Sequence, residues 1–166
     1  MAYMETIYLA GGCYWGLEDL IRQIPGVLST QVGFSGGHIK NVCYKEVTKG
    51  DTGHAETIKI EFNPELLPLK QLLLHFFKVH DPTTPNQQGN DRGTQYRSAI
   101  FCTNTDQKEI AMEAINLVEV SACYPGSIVT SLEDFSAFYP AEESHQKYIQ
   151  KNPGGYTCHF IRDITF

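Results

Sequence analysis

The sequence predicts an α+β fold, a two-layer α/β sandwich in which helices pack on a mixed sheet. Segments of strand and helix periodicity follow one another in the order β-α-β-β-α-β-α-β, with two consecutive strands in the middle of the chain. Such a doubled strand predicts a mixed sheet with a split β-α-β (ferredoxin-like) core and long loops. With 166 residues, 42% apolar and 19% charged, the chain fits a single domain over residues 1–166.

The first unit is predicted to be a strand, a glycine turn and a helix. Residues 7–10 form a short apolar run that stops at Gly11 and Gly12, as a strand does when it enters a tight turn. Apolar residues then recur at helical spacing: Leu17, Leu20, Ile21 and Ile24. A Pro-Gly pair at residues 25–26 ends this helix, and Cys13 lies at its predicted start.

The middle of the chain contains the doubled strand. Alternation predicts a second strand at residues 28–34 and a third at residues 57–62, separated by a loop over residues 35–53. Leucines and phenylalanines at positions 69–77 mark an amphipathic helix. Residues 81–95 are polar, with two prolines and two glycines. A loop of this length in a compact domain is often functional.

The second half adds two strands and two helices. Strands are predicted at residues 99–101 and 128–130. A longer helix lies between them, with its apolar positions at Ala111, Ala114, Ile115 and Val118. A short last helix is predicted around residues 145–149. It is followed by an irregular C-terminal tail over residues 150–166, which contains an Asn-Pro-Gly-Gly sequence.

Charge and cysteine usage limit the classes of function. The net charge of −6 and the pI near 5.4 argue against nucleic acid or an anionic membrane as a partner. The first residues have no basic segment or long apolar run, so a signal peptide is not expected, and no apolar run approaches the ~18 residues of a transmembrane helix. Five cysteines without a C-x-x-C pair favour a reducing compartment and argue against a zinc ribbon. We therefore predict a cytoplasmic monomer without a bound metal.

Cys13 is the strongest candidate for a reactive group. A thiol reacts as its thiolate, and the backbone N–H groups and dipole of a helix start favour that anion. The preceding glycines allow a sharp turn and close approach of a substrate. Tyr14 and Trp15 are placed to form an aromatic wall for a small apolar group. The alternative is that Cys13 is a buried structural thiol and Trp15 a core aromatic residue.

Glu56 has the parity of the apolar positions in its predicted strand. It precedes Ile58 by two residues, so its carboxylate points toward the core if the strand extends back to Ala55. Desolvation there raises the pKa of a carboxyl and makes it a candidate proton donor near neutral pH. Alternatively, the strand starts at Thr57 and Glu56 is exposed at its rim.

Four segments of the chain resemble the A-type peptide-methionine sulfoxide reductases, which act on the S epimer at sulfur. Gly-Cys-Tyr-Trp-Gly at residues 12–16 matches the family's Gly-Cys-Phe-Trp-Gly motif with one substitution. Thr-Gly-His-Ala-Glu at residues 52–56 and Gly-Asn-Asp-Arg-Gly-Thr-Gln-Tyr-Arg-Ser at residues 89–98 match two further signatures. Phe-Tyr-Pro-Ala-Glu at residues 138–142, with the His-Gln pair at residues 145–146, resembles a fourth. The segments occur in family order and are distributed along most of the chain.

The resemblance implies that the chain reduces methionine sulfoxide, free or in proteins, as an antioxidant repair enzyme. Cys13 would attack the sulfoxide sulfur and be left as a sulfenic acid. Glu56 would protonate or hydrogen-bond the sulfoxide oxygen. Tyr44 and Tyr96 would help to bind that oxygen, and Asp91 would form the polar side of the pocket.

The same resemblance implies an aromatic pocket and a second thiol. Trp15, with Tyr14 in the usual phenylalanine position, would line the pocket for the substrate methyl group. Cys158, in the tail, resembles a resolving cysteine that would form a disulfide with Cys13. Thioredoxin or another dithiol would then reduce this disulfide as an external reductant, and no bound cofactor is expected. Cys43 leaves a second resolving route open.

Two other functions are compatible with part of the pattern. A papain-like protease would use Cys13 with His145, which lies 132 residues downstream, and Asn152. The Cys-Gly-Ser-Cys-Trp signature of those proteases is absent from the sequence. A non-catalytic domain that holds oxidised methionine would need the aromatic pocket but neither a nucleophilic thiol nor Cys158.

Overall fold

The structure, a computed structural model, describes residues 4–166 of the chain. Within this range the strands are β1 (Glu5–Gly11), β2 (Val27–Ser35), β3 (Ala55–Phe62), β4 (Gln87–Gln88), β5 (Asp91–Arg92), β6 (Ser98–Cys102), β7 (Ser131–Asp134) and β8 (Phe138–Pro140). The helices are α1 (Tyr14–Ile21), α2 (Tyr44–Thr48), α3 (Leu69–Val79), α4 (Thr105–Ser121) and α5 (Tyr148–Lys151). Two short 3-10 turns lie at Thr94–Tyr96 and Glu143–His145.

Six of these strands form one mixed sheet in the order β7-β6-β1-β3-β2-β8. β3 lies between β1 and β2 and is antiparallel to both, with Ile60 opposite Ile7 on one side and Thr30 on the other. Consequently β1 and β2 are parallel and α1 connects them, which is the predicted split β-α-β unit. β6 is antiparallel to β1, whereas β7 is parallel to β6. The predicted α+β fold with a mixed sheet is therefore confirmed.

One face of the sheet carries the main core. Ile7 and Leu9 of β1 are fully buried, as are Ile58 and Ile60 of β3, because alternate residues of a strand point to the same side. Side chains of α1 and α3 at helical spacing pack in the same core: Leu17, Ile21, Leu69, Leu72, Leu73, Phe76 and Phe77. Burying such a side chain contributes roughly 1.5–3 kcal/mol relative to leaving it exposed. This packing fixes the position of β1 and of the turn that follows it.

The two long segments predicted as loops contain short elements. Residues 35–53 include α2, whose first turn is stabilised because the Cys43 N–H donates to the Glu46 carboxylate at 3.1 Å. Residues 81–95 include the hairpin of β4 and β5, in which Gln88 pairs with Asp91. Elements of two to five residues are too short to show a period in the sequence.

The strand predicted at residues 128–130 is wrong by a few positions. The parallel ladder to β6 begins at Ser131. The residues before it make other contacts, since the Val129 N–H donates to the Pro82 carbonyl and the Thr130 hydroxyl bonds Ser98 Oγ. The sequence pattern also does not predict β8, which has only three residues.

After α5 the chain follows an irregular path over residues 152–166, which contain no helix or strand. The assignment of one domain over residues 1–166, with a tail over residues 150–166, stays a prediction. None of the helices within residues 4–166 has the length and apolar character needed to cross a membrane.

Candidate active site

Cys13 lies where β1 turns into α1. Gly12 adopts a φ of +94°, in the left-handed region that favours glycine, and a Cβ there would lie 2.6 Å from the Gln88 side chain. The turn therefore needs glycine for its backbone conformation and for space. Cys13 immediately precedes α1 and is 8% exposed, so its thiol lies at the helix start with little access to solvent.

The thiol of Cys13 stays protonated in the substrate-free protein. Burial raises its pKa well above the ordinary value, and the charge of Glu56 raises it further. The backbone N–H of Trp15 lowers this pKa, which is the effect expected of a helix start, but it is a smaller influence. The helix start therefore acts in the expected direction, but desolvation outweighs its hydrogen bond and the net pKa is raised.

Glu56 is buried, as its strand parity predicts. β3 begins at Ala55, and the Glu56 side chain is 1% exposed. Its Oε1 accepts a hydrogen bond from the Tyr14 N–H at 3.1 Å, whereas its Oε2 has no partner within the described residues. Burial raises the pKa of Glu56 to about 8, although the Tyr14 N–H lowers it. At neutral pH the carboxyl is therefore mostly protonated, and it holds its proton close to Cys13.

Three further polar residues approach Glu56 from separate elements. Tyr44 starts α2, Asp91 starts β5, and Tyr96 ends the 3-10 turn before β6. Burial and then the Glu56 charge raise the pKa of Tyr44 to about 12, and both act in the same direction on Tyr96. The Asp91 charge raises the pKa of Cys13 and of Glu56. Because such charge effects weaken with distance, these shifts indicate that all five residues share one site.

The two aromatic residues after Cys13 have different surroundings. Tyr14 is fully buried, its ring centroid lies 5.8 Å from that of Phe34, and its hydroxyl has no partner in the part of the chain that is described. Trp15 is partly exposed and stacks on Tyr148 with ring centroids 3.8 Å apart. The indole is therefore the part of the predicted aromatic wall that a substrate can reach.

The C-terminal tail returns to the same site. Cys158 Sγ lies 3.7 Å from Asp91 Oδ2 and 3.6 Å from the Gln88 carbonyl oxygen. A Cβ on Gly89 would lie 3.0 Å from the Cys158 Cβ, so glycine allows this close approach. Burial and then the Asp91 charge raise the pKa of Cys158. Cys13 and Cys158 are not joined by a disulfide in this structure.

Two histidines lie at the site although no helix or strand period in the sequence indicates it. His159 Nε2 bonds the Gly11 carbonyl oxygen at 2.6 Å and attaches the tail to the end of β1. His145 Nδ1 accepts a hydrogen bond from Trp15 Nε1 at 3.0 Å, so this nitrogen serves the indole rather than Cys13. These contacts join residues 148 and 130 positions apart. The sequence indicates a role only for His145, through the His-Gln pair at residues 145–146 that resembles the family's.

The remaining cysteines have separate environments. Cys43 precedes α2, and its use as a second resolving thiol stays a prediction. Cys102 is buried on β6, and the Cys123 thiol donates to the Thr165 carbonyl at 3.4 Å. No group of three or more His, Cys, Asp or Glu side chains within residues 4–166 is arranged to hold a metal ion.

Known proteins with similar sequences connect this geometry to one family. The family model for peptide methionine sulfoxide reductase matches residues 5–165. Peptide methionine sulfoxide reductase MsrA 2 of Rhodopirellula baltica is 51% identical over 158 residues, which cover 95% of this chain and 92% of that protein. MsrA of Mycobacterium tuberculosis is 52% identical over 162 residues, which cover 98% of this chain and 87% of that protein.

Solved structures agree with the sequence relatives. Mxr1 of Saccharomyces cerevisiae in reduced form has a TM-score of 0.91 at 37% identity and covers 98% of this chain and 94% of its own. Methionine sulfoxide reductase A of Corynebacterium diphtheriae has a TM-score of 0.81 at 36% identity, with coverage of 98% and 81%. The papain-like alternative is therefore wrong. The chain belongs to the peptide methionine sulfoxide reductase family and is an oxidoreductase of that type.

Proposed function

We propose that this chain reduces the S epimer of methionine sulfoxide, free or in proteins, to methionine, and so repairs oxidised proteins. The observation that carries this proposal is the buried Glu56, whose Oε1 accepts a hydrogen bond from the Tyr14 N–H in the helix turn that follows Cys13. Burial raises its pKa to about 8 and so favours the protonated form. A thiol and a carboxylic acid in one desolvated pocket supply the nucleophile and the proton that removal of a sulfoxide oxygen requires.

In the first step the Cys13 sulfur attacks the sulfoxide sulfur while Glu56 donates its proton to the sulfoxide oxygen. The attack forms a bond between the two sulfur atoms. This bond and the substrate S–O bond then break as the hydroxyl is transferred to the Cys13 sulfur, which becomes a sulfenic acid, and the thiol proton goes to Glu56. The substrate sulfur gains the electron pair that the cysteine sulfur loses. Tyr44 and Tyr96 donate hydrogen bonds to the same oxygen, and the Trp15 indole packs against the methyl group.

Protonation of Glu56 also favours the nucleophile. The charge of Glu56 is the second influence, after burial, that raises the pKa of Cys13. A pKa of about 8 keeps Glu56 mostly neutral near pH 7 and so removes that influence. Neutral pH therefore supplies the acid and eases ionisation of the thiol at the same time.

Cys158 is proposed to resolve the sulfenic acid. Its sulfur attacks the Cys13 sulfur, a disulfide forms, and the sulfenic hydroxyl leaves with the Cys158 thiol proton as water. Asp91 Oδ2 lies 3.7 Å from the Cys158 sulfur and is placed to take that proton before it reaches the leaving hydroxyl. Cys43 is the alternative resolving thiol.

Thioredoxin is proposed as the external reductant that returns the disulfide to thiols by exchange, without a bound cofactor. Yeast Mxr1, whose reduced form is similar to this chain, also has a solved structure in complex with Trx2. We further expect the protein to act in the cytoplasm as a monomer, without nucleic acid or a membrane as partner. Size-exclusion chromatography should then give one species near the 18.7 kDa of the chain.

The test uses the purified protein, each epimer of methionine sulfoxide, a dithiol reductant and mass spectrometry of Cys13. We expect methionine from the S epimer alone and, without reductant, one added oxygen on Cys13 in the Cys158→Ser variant. Turnover that survives in Cys13→Ser would contradict the mechanism. Binding of methionine sulfoxide by the wild type without formation of methionine would favour the non-catalytic domain.

A further inference from the structure

The Trp15 indole is held by two aromatic side chains that the proposed reaction does not use. Trp15 Nε1 donates to His145 Nδ1 at 3.0 Å, and the two rings are inclined by 18° with centroids 5.6 Å apart. These values place the rings side by side, so the hydrogen bond runs close to both ring planes. Tyr148 stacks on one indole face at 3.8 Å and 12°. One edge and one face of the indole are thus in contact with these two side chains, and Trp15 remains partly exposed.

His145 is anchored by the residue that follows it. Gln146 Oε1 accepts a hydrogen bond from the Val32 N–H at 2.8 Å, and its Nε2 donates to the Val32 carbonyl at 2.9 Å. The side-chain amide therefore pairs with β2 as the backbone of a neighbouring strand does. The Gln146 Nε2 also donates to the Ala141 carbonyl at 3.0 Å. The position of the His145 backbone consequently depends on the sheet.

Lys147 ties the same segment to the helix that carries Trp15. Its backbone N–H donates to Glu18 Oε1 at 2.8 Å, and its Nζ lies 3.0 Å from Glu18 Oε2. Glu18 is fully buried in α1 and also accepts a hydrogen bond from the Thr30 hydroxyl at 2.8 Å. A buried carboxylate with this many partners is a rigid anchor. The segment that carries His145 is therefore fixed to α1, the helix that carries Trp15, as well as to β2.

The hydrogen bond to Trp15 requires one protonation state of His145. A neutral imidazole accepts through one ring nitrogen, whereas a protonated imidazole donates through both. Burial lowers the pKa of His145 below its ordinary value, and the charge of Glu142 acts against this. The other titratable groups that face the ring are Tyr14 and Tyr44, whose raised pKa values keep them neutral. The accepting form is thus the one present at neutral pH.

We propose that His145 is a positioning residue, which accepts the indole N–H and so holds Trp15 in the orientation that packs against the substrate methyl group. This inference rests on the proposed function, because that function packs the substrate methyl group against the Trp15 indole. His145 does not touch the reacting atoms in this role. Its loss therefore weakens substrate binding more than it slows the chemical step, and KM rises while kcat changes little.

The test compares His145→Phe with His145→Asn. Phenylalanine keeps a ring but has no acceptor, whereas asparagine keeps an acceptor oxygen near the position of Nδ1 and does not titrate. We expect KM for methionine sulfoxide to rise about fivefold in His145→Phe, the factor that corresponds to a net hydrogen bond of roughly 1 kcal/mol. In His145→Asn it should return to within about twofold of wild type, with kcat changed less than about twofold in both variants.

Fluorescence gives a readout of the hydrogen bond itself. Trp15 is the only tryptophan of the chain, so tryptophan emission reports on this residue alone. As the pH falls, His145 becomes protonated and its Nδ1 can no longer accept. We expect the wild-type emission to change with a midpoint below the ordinary histidine pKa of 6.5, and the transition to be absent from both His145 variants. The wild-type titration does not depend on whether either variant folds.

Cys13→Ser separates this role from catalysis. That variant should lose sulfoxide reduction and keep the pH transition of the Trp15 emission. Either an unchanged KM in His145→Phe or a pH-independent wild-type emission would overturn the role of His145. A wild type that reduces no sulfoxide would instead overturn the proposed function, while the emission titration would still decide whether His145 holds Trp15.

Discussion

Cys13 and Cys158, the two thiols proposed to react, are held by different kinds of structure. Cys13 stands between β1 and α1, whose side chains belong to the main core, and it is nearly inaccessible to solvent. Cys158 lies in a segment without helix or strand. That segment is attached to the site by His159, which bonds the Gly11 carbonyl oxygen, and its neighbour Phe160 is 57% exposed.

The difference indicates that the two half-reactions need different mechanical properties. Attack on the sulfoxide needs Cys13 and Glu56 in one fixed, desolvated arrangement. Resolution needs Cys158 to leave Asp91, reach Cys13 and then present a disulfide to a reductant. A segment with few buried apolar contacts opens at a lower free energy than the core does. Changes in the core should therefore affect methionine formation, and changes in the tail should affect disulfide formation.

Of the substitutions that test this division without removing the nucleophile, Glu56→Gln should slow methionine formation most. Glutamine keeps an oxygen that can accept from the Tyr14 N–H but has no acidic proton. Because general acid catalysis typically contributes 10²–10⁴-fold, single-turnover methionine formation should slow by about that factor. Rapid-quench measurement of methionine checks this, with Cys158→Ser as the control that retains the burst. A burst of wild-type rate in Glu56→Gln would remove the acid role from Glu56.

The same carboxyl predicts how stability depends on pH. Burial raises the pKa of Glu56 from 4.5 to about 8, so the folded protein binds this proton more tightly than the unfolded chain. The stabilisation that this bound proton gives the folded state is fully present below the pKa of Glu56 in the unfolded chain. It is lost as the pH rises toward the pKa of Glu56 in the folded protein. Relative to Glu56→Gln, the free energy of unfolding of the wild type in urea should fall by about 1.4 kcal/mol per pH unit between pH 5 and 8. Parallel curves for the two proteins would show that Glu56 is not protonated in the core.

Cys158→Ser should block disulfide formation and leave the first methionine-forming step intact. Cys13 would still remove one oxygen, because Glu56, which supplies the proton, and the turn that holds Cys13 are unchanged. The sulfenic acid would then persist, and thioredoxin would support at most about one methionine per enzyme molecule before turnover stalls. Product counting with thioredoxin in excess measures this. Steady-state turnover at the wild-type rate would show that Cys158 is dispensable, and Cys43→Ser in the same background would then test the alternative thiol.

Gly16→Ala should have the smallest effect and should affect only the seating of the tail. A Cβ there would overlap Thr157 Oγ1 and lie 2.9 Å from His159 Nδ1, whereas α1 itself favours alanine over glycine by roughly 1 kcal/mol. We expect disulfide formation to slow about fivefold, with the methionine burst unchanged. Thiol counting after one turnover checks this. Addition of Thr157→Ala should recover part of the rate, and a slower burst instead would show that Gly16 matters to the core.

The half of the site built on regular structure could be predicted from periodicity. Glu56 lies two positions before Ile58, so the strand period places it on the buried face, and burial sets the direction of its pKa. Cys13 lies between a glycine turn and a helical repeat, which locates it at a helix start. Its net pKa could not be predicted in this way, because the desolvation that raises it comes from residues distant in sequence.

The other half depends on single polar contacts between distant residues. His159 bonds the Gly11 carbonyl and His145 bonds Trp15, and no hydrophobic pattern encodes such pairs. The helix that starts at Tyr44 has five residues, which is too few for a visible period. The positions of Tyr44, Tyr96 and Asp91 in or beside the two long loops mark them only as candidates, and their roles follow from the family resemblance alone.

The edge of β2 that extends beyond β8 is covered by side chains, and this affects how the protein behaves at high concentration. β8 pairs only with residues 33–35, and beyond it the Gln146 amide occupies the N–H and C=O of Val32, while Lys147 Nζ donates to the Thr30 carbonyl at 2.6 Å. An open strand edge is a template for pairing with another chain. The segment that holds the indole therefore also shields this edge from intermolecular β-pairing. Damage to it would promote aggregation together with the loss of substrate affinity.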